Sequence, residues 1–477
     1  MTEAKRAARN IDMTEGSIFH CLLLFALPLL AGNLFQQLYN MVDTWVIGQT
    51  GESGAYAAVG SVAPIVNIFI GLSGGLSGGA GVVISQYYGA KDEGAVSRAV
   101  HTSLVMTLVL GLLFTVVGVT ATPLMLRLML HTDGVGDTIY PHALEYLTIY
   151  FSGILAMLVY NMGAGILRAV GDSRHPFYFL LVSAGINTVL DVVFVFFLSM
   201  GVRGVAIATV IAQFVSALLI VVTLLRSDTC VRLRPRSLRA DRNMLKLIVR
   251  MGIPAGLQMA LTAFSNVFVQ SYISNVTMSK TAALGGWTTY SKLDQLIFLP
   301  IQTLGLATST FVGQNLGNGQ LARARRGART AWGMATAITL FLMLPILLFA
   351  APLASVFNAD PEVVSCAALL LRCLTPFYLF CCVNQIYSNA LRGAGNSTAP
   401  MVIMLASFVG FRQIYLFVVS TFLSNDLLPI AFGYPAGWAV CALITALYYR
   451  FYRFRPRGFL SEEAAAPSPA PERSGTC

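Results

Sequence analysis

Charge is what this chain has least of. Asp, Glu, Lys and Arg together make up 11% of its 477 residues, against roughly a quarter in a soluble globular domain. The chemistry that usually marks an enzyme is missing too. There is no GxxxxGK[ST] loop, which excludes a built-in ATPase of that form. The five histidines (His20, His101, His131, His142, His175) lie at the ends of apolar runs with no HExxH or paired-ligand spacing. No Ser-His-Asp or Cys-His grouping stands out. The eight cysteines include no CxxC, and Cys21, Cys366, Cys373, Cys381, Cys382 and Cys441 fall inside apolar runs. They read as small packing residues, not as a disulfide framework or a metal site. The expectation is a chain that is not an enzyme and carries no cofactor. A cleavable secretory leader is also not expected, because the first apolar run is a full span with no small-residue cleavage site.

What the chain has instead is apolar length. Hydrophobic residues make up 56%, the mean hydropathy is +0.71, and the apolar runs reach the ~20 residues that cross ~30 Å of hydrocarbon. Twelve spans are predicted, over 18–48, 56–88, 99–130, 141–169, 176–200, 203–225, 247–275, 280–316, 329–357, 363–392, 399–423 and 429–452. They must be helical, since lipid offers no partner to an open backbone. A membrane barrel would alternate apolar and polar residues over about ten positions, and these runs do not.

Lys and Arg set the orientation. The N-terminus holds Lys5, Arg6 and Arg9, and the loops after spans 2, 4, 8 and 10 hold Lys91, Arg98, Arg168, Arg174, Arg323, Arg325, Arg326, Arg329 and Arg392. The loop after span 6 is densest, from Arg226 to Arg250, and Arg450 to Arg457 close the last span. Odd-numbered loops offer only Arg203 and Lys280 beside acids such as Glu52, Asp133, Asp137, Asp360 and Asp426. A multi-pass cell-membrane protein with both termini and all even loops in the cytoplasm follows. The net charge of +10 then belongs at membrane edges, facing lipid headgroups and not nucleic acid.

The chain says one phrase twice. Ile166-Leu-Arg-Ala-Val-Gly-Asp-Ser-Arg-His-Pro176 returns as Ala390-Leu-Arg-Gly-Ala-Gly-Asn-Ser-Thr-Ala-Pro400, so Arg168 matches Arg392 at an offset of 224. Ser85-Gln-Tyr-Tyr-Gly89 is echoed by Gly313-Gln-Asn-Leu-Gly317, and Leu27-Pro28 by Ile253-Pro254. A period of half the chain means two homologous halves, far too long for a solenoid repeat. Six spans per half is an even number, so both halves enter from the same side, related by a pseudo-two-fold along the membrane normal. The predicted organisation is an N-terminal segment (1–16), an N-lobe (17–225), a basic linker (226–246), a C-lobe (247–455) and a tail (456–477) whose Ala-, Pro- and Ser-rich composition reads as disordered. The run Gly71 to Gly81 lies inside span 2 with GxxxG spacings at Gly71/Gly75 and Gly75/Gly79, which suits close helix packing or a bend, not a phosphate loop.

Two carboxylates sit where lipid makes them costly. Asp43 in span 1 and Asp191 in span 5 would each cost roughly 2.5–3.5 kcal/mol near a helix centre. Asn33, Gln36, Asn40 and Asp43 form a polar stripe, with Tyr39 one turn before Asp43. Asn187 and Asp191 share a face as an i, i+4 pair. Asn161 in span 4 and Thr209 in span 6 are lone polar groups. If these faces converge, the pocket can exchange protons, or with both acids ionised its oxygens (Asp43, Asn187, Asp191, Thr209) can hold a sodium ion. The repeat does not copy the acids: Asp191 corresponds to Tyr415, Asn187 to Phe411 and Asp43 to Val269. The second half has Asp294 and Arg412 at mid-depth, which could pair with each other, with Lys292 a competing partner for the acid. It also has polar faces at Gln258, Asn266 and Gln270 and at Asn384, Gln385 and Asn389.

With Gln36-Gln-Leu-Tyr-Asn-Met-Val-Asp43, the doubled Leu-Arg-x-x-Gly phrases, the two Gln-x-x-Gly echoes and the two-lobe plan, residues 15–455 resemble the multidrug and toxic compound extrusion (MATE) transporters. The resemblance implies exchange of protons or sodium ions for organic, often cationic and amphipathic, compounds. By similarity to the DinF-like branch, Asp43 and Asp191 look like the coupling carboxylates. Tyr146, Asn161, Asn187 and Thr209 look like their hydrogen-bond network, and Gln36 and Tyr39, beside Asp43, like substrate-side cavity residues. The acids that the NorM-like branch carries in spans 7 and 10 are missing here. The expected partners are small organic substrates and membrane lipids, the expected working unit a monomer. A flippase for lipid-linked saccharides is the alternative, and it would favour an Arg-rich cavity.

Overall fold

The structure, a computed structural model, describes residues 11–48, 55–129, 136–277 and 279–455. Lys5, Arg6, Arg9, Glu52, His131, Asp133 and the tail 456–477 lie outside the described residues.

The apolar runs form helices throughout. In the first half these are α1 (Ile18–Gly48), α2 (Ala55–Gly89), α3 (Glu93–Met129), α4 (Gly136–Ser152), α5 (Ile154–Ala169), α6 (Arg174–Val192) and α7 (Gly201–Arg226). The second half has α8 (Arg242–Ser274), α9 (Lys280–Gly317), α10 (Leu321–Leu348), the short α11 (Ala350–Ser355), α12 (Pro361–Leu374), α13 (Tyr378–Gly393), α14 (Thr398–Leu405), α15 (Arg412–Val418), the short α16 (Leu427–Ala431) and α17 (Gly433–Phe451). Eleven segments are long and apolar enough to span a bilayer, and a twelfth is α4 and α5 taken together, bent by 48° at Gly153. Wide helical turns follow α6 over Val193–Phe197 and α15 over Val419–Leu423, and a further set, Ala406–Phe411, joins α14 to α15.

Side chains such as Phe341, Leu344, Phe417, Phe422 and Phe451 stay exposed, as a surface against lipid requires. Lipid tails are as apolar as Leu, so helices associate through close packing and small residues. The Gly-rich run of α2 does this against α8. A Cβ on Gly75 would lie 2.1 Å from the Gly256 nitrogen, and one on Gly79 2.4 Å from the Gly252 nitrogen. The two lobes meet backbone to backbone here, and only glycine permits it.

Each lobe also lends its first helix to the other. Met13, Leu22, Phe25 and Leu29 are buried with Ile297, Ile301, Phe311 and Tyr378 of the C-lobe. In return Met244, Ile248 and Met251 of α8 join Val83, Val96 and Leu167 of the N-lobe. The linker lies on the N-lobe, with the Arg234 nitrogen donating to His101 Nε2 (3.1 Å) and the Asp241 nitrogen to Thr102 Oγ1 (3.0 Å). Asp241 then caps α8, its carboxylate accepting from the Asn243 and Met244 nitrogens.

Candidate functional site

Three polar constructions interrupt the apolar packing. The first joins the lobes at the even-loop end and is built from the repeated phrases. Each Leu-Arg-x-x-Gly phrase ends a helix, and a helix end leaves carbonyls without partners. Gly171 (φ +88°) and Gly395 (φ +87°) turn the chain in the left-handed region and close the caps, with their nitrogens donating to Arg168 O and Arg392 O. That leaves Ala169 O and Gly393 O, which the opposite lobe satisfies. Gln314 Nε2 donates to Ala169 O at 2.8 Å, and Gln86 Nε2 donates to Gly393 O at 2.8 Å. Both glutamines belong to the second echoed motif and are fully buried. A strap from Ile11 to Gly16 crosses the same junction. The Ile11 nitrogen donates to Gly171 O, Asn315 Nδ2 donates to Met13 O at 3.0 Å, and the Arg323 guanidinium donates to the carbonyls of Met13, Glu15 and Gly16.

The second construction is an acidic cluster in the N-lobe. Packing of α1 along α6 brings Asp43 and Asp191 to side-chain hydrogen-bonding range of each other. Two ionised carboxylates have only acceptors to offer. Accordingly Asp43 Oδ1, both oxygens of Asp191 and both amide atoms of Asn187 are buried with no partner among the described residues. The ion pair Arg203–Glu145 (3.7 Å) and the His175 Nδ1–Asp172 contact (2.5 Å) lie elsewhere. Tyr39 and Tyr146 stand within electrostatic reach of both carboxyl groups, Gln36 hydrogen-bonds Tyr39, and Tyr146 stacks on Tyr150 (6.3 Å). Thr209 is buried, and its hydroxyl donates to Val205 O at 2.9 Å. Asn161 is half-buried, and its backbone carbonyl accepts from Ser77 Oγ at 2.6 Å. No hydrogen bond joins either Thr209 or Asn161 to the carboxyl pair among the described residues. Toward the odd-loop end, one turn beyond the acids, Val46 and Ile47 pack with Val195, Val202 and Val205 in an apolar cluster. The oxygen-rich set suits a proton or a hard cation, although no group of three His, Cys, Asp or Glu forms a metal site among the described residues.

The third is a cavity of about 390 Å³ in the C-lobe. The stripes at Gln258 and Asn266 and at Asn384 and Gln385 face it, with Asp294, Arg412 and aromatic rings. The possible pairing of Asp294 with Arg412 is not found. Asp294 accepts hydrogen bonds from the hydroxyls of Tyr378 and, at 3.4 Å, Tyr290. Arg412 donates to Ser265 Oγ (2.8 Å) and Asn266 Oδ1 (2.9 Å) and lies over the Tyr434 ring at 4.7 Å. Lys292 does not take Asp294 as a partner either; it lies over the Phe357 ring at 5.7 Å. Gln270 does not line the cavity, and Asn389 instead bonds Arg392 at 3.4 Å. The sequence reading missed Arg392, which counted there only as a loop charge. It is a cavity residue whose guanidinium donates to Gln258, and its i+7 spacing from Gln385 on α13 was the available signal.

The MatE family model matches the chain twice, over residues 28–193 and 254–418. A probable multidrug resistance protein of Bacillus subtilis, YoeA, is 31% identical over 448 residues, covering 92% of this chain and 95% of its own. A probable multidrug resistance protein of Thermotoga maritima, NorM, is 25% identical over 446 residues, covering 93% and 94%. Among solved structures, a multidrug resistance MATE family transporter of the MOP superfamily in an outward-facing conformation superposes with a TM-score of 0.86. It is 24% identical, covering 92% of this chain and 97% of its own, a likeness of fold.

Proposed function

This chain belongs to the MatE family of transporters, and from that premise we propose that it is a cell-membrane antiporter. It expels small amphipathic organic compounds in exchange for protons or sodium ions. The observation that supports this best is the facing pair of a half-buried Asp43 and a fully buried Asp191, close together and without a counter-charge among the described residues. Two such acids in an apolar helix environment carry a penalty of roughly 5–7 kcal/mol when ionised. A bound proton or sodium ion relieves most of it. An arrangement that seals the acidic cluster is therefore favoured when the ion is bound, and one that wets it is favoured when the ion has left. Ion occupancy and conformation are linked in this way.

The lobes supply the moving parts. By the distribution of Lys and Arg the even loops face the cytoplasm, so the Gln86 and Gln314 junction closes the cytoplasmic end and its opening admits substrate. Rocking of one lobe on the other about the α2–α8 glycine contact gives alternating access. The flippase alternative is not favoured by the relatives, whose names record multidrug resistance.

The test is transport in proteoliposomes. Wild-type protein should expel rhodamine 123 or fluorescein when a proton or a sodium gradient is imposed, and the gradient that works identifies the ion. Asp43→Asn and Asp191→Asn should each lose gradient-driven transport by at least ~10-fold, since a single amide cannot exchange the ion. Full coupled transport in both variants would sink the carboxylate reading.

A further inference from the structure

The charge balance of the C-lobe cavity bears on what is transported. The cavity holds two guanidinium groups, Arg392 and Arg412, and one carboxylate, Asp294. Arg412 is only 2% exposed. Its partners are neutral: Ser265 Oγ, Asn266 Oδ1 and the face of Tyr434. Arg392 likewise bonds neutral groups, Gln258 Oε1 and Asn389 Oδ1. The Nε atoms of both are buried with no partner among the described residues. Asp294 does not neutralise them. It is held by Tyr378 and Tyr290, and Tyr434 is within electrostatic reach of both it and Arg412.

A buried cation without a counter-charge is costly, and an anion brought beside it removes that cost. The guanidinium fork of Arg412, oriented by Ser265 and Asn266, suits a carboxylate or phosphate in two-point contact. Gln258 and Asn266 mark the two arginines along α8; eight residues of helix place them about 12 Å apart. Trp438, Phe298 and Phe408 line the same cavity, flat apolar faces for an organic body. The volume of about 390 Å³ lies in the range of roughly 300–1,000 Å³ that holds a drug-sized molecule. A two-chain lipid would not fit inside it. The stretch leading into Arg412, Ala406–Phe411, is wound in wide turns that the corresponding part of α6 lacks, and such turns recur at functional sites.

We propose that the C-lobe cavity binds a free amphipathic organic anion, its acidic group on Arg412, its aromatic body between Trp438 and Phe298, and Arg392 as a second anchor. This rests on the efflux reading for direction and narrows its substrate class from either charge to anionic. One consequence is electrical. When a monoanion leaves and a monovalent cation enters, two positive charges move inward, so an inside-negative potential drives export. A monocation exchanged for one cation would move no net charge.

The experiment uses the full-length protein with fluorescein and rhodamine 123, an anion and a cation on the same three-ring skeleton. Fluorescence anisotropy should show fluorescein binding tighter than rhodamine 123. Arg412→Gln should weaken fluorescein at least 10-fold, Arg412→Lys less, and neither should weaken rhodamine 123. In right-side-out vesicles, a valinomycin-imposed inside-negative potential should speed fluorescein export. Preference of the wild type for rhodamine 123 overturns the proposal, and this comparison needs no variant to fold. Unchanged fluorescein affinity in a folded Arg412→Gln overturns it too. Displacement of fluorescein by submicellar dihexanoyl phosphatidylglycerol would give the site to a lipid headgroup, again overturning it. The two readings fail separately. Rhodamine 123 export that depends on Asp43 and Asp191 would uphold antiport and refute the anion. Arg412-dependent fluorescein binding with no gradient-driven transport of either dye would do the reverse.

Discussion

Replacing Gln86 and Gln314 together by alanine tests whether the junction between the repeated motifs holds one end of the transporter shut. Each amide donates at 2.8 Å to a carbonyl at a helix end of the opposite lobe, and both side chains are fully buried. Only the closed arrangement loses by the substitution, because separated lobes offer the same carbonyls to water. Losing one such bond costs ~1 kcal/mol where water can take the place of the amide, and up to ~3 where the acceptor stays dry. Alanine leaves room for water, so the lower figure applies, giving ~2 kcal/mol for the pair. That is a ~30-fold shift of the closed-to-open ratio, at 1.4 kcal/mol per decade. The two sites are adjacent: a Cβ on Gly89 would lie 2.0 Å from the Gln314 carbonyl oxygen, and one on Gly317 the same distance from that of Gln86. The ~30-fold figure is the product of two single variants each near 5-fold, and a departure of the double variant from that product measures the coupling between these adjacent sites. Double electron–electron resonance between spin labels at the exposed positions Glu93 and Arg326, with native cysteines replaced, reads the populations directly. A folded double variant whose distance distribution stays within twofold of the wild type would refute the argument.

Two further outcomes follow from packing and from titration. Gly75→Ala places a Cβ 2.1 Å from the Gly256 nitrogen, an overpacking that should cost ~1–3 kcal/mol. It should lower the melting temperature and slow transport, and unchanged values of both would contradict a backbone contact there. Cys230, in the linker outside the spans, has its thiol pushed up to about 11 by burial and then by the charge of Glu93. A raised value leaves the thiol protonated below it, so only ~0.1% is reactive thiolate at pH 8. Maleimide labelling of Cys230, followed by peptide mass spectrometry, should be slow at pH 8 and rise ~10-fold per unit up to about pH 11. Glu93→Gln should speed it at pH 8; labelling as fast as a free cysteine would rule out this environment.

Much of the plan was legible before any coordinate. Twelve spans and two lobes follow from long apolar runs and an offset repeat, because a bilayer leaves the backbone few choices. Asp43 and Asp191 stood out because an acid in such a run is costly and needs a reason. Of the polar faces marked by helical spacing, Gln258, Asn266, Asn384 and Gln385 line the C-lobe cavity, while Gln270 and Asn389 do not. Other features were not legible, for a common cause. Spacing says which residues share a face, not which helix that face meets. Asp294 and Arg412, at similar depth, were candidates to pair, yet each found neutral partners on a different helix. Arg392 ends a helix and read as a loop charge, but the fold turns that end inward. The crossing of the first helices, Phe25 into the C-lobe and Ile248 into the N-lobe, has no local signal.

By itself, then, the sequence determined a duplicated helical membrane protein with two stranded acids, because hydropathy, length and repetition are properties of the chain in order. Tertiary structure decided that the two echoed motifs are halves of one contact. Leu-Arg-x-x-Gly leaves a carbonyl unmet at its helix end, and the glutamine of Gln-x-x-Gly meets it from the other lobe, once in each direction. An unmet hydrogen-bonding group sets a demand that can be read from sequence; which distant residue answers it depends on where the packed helices cross.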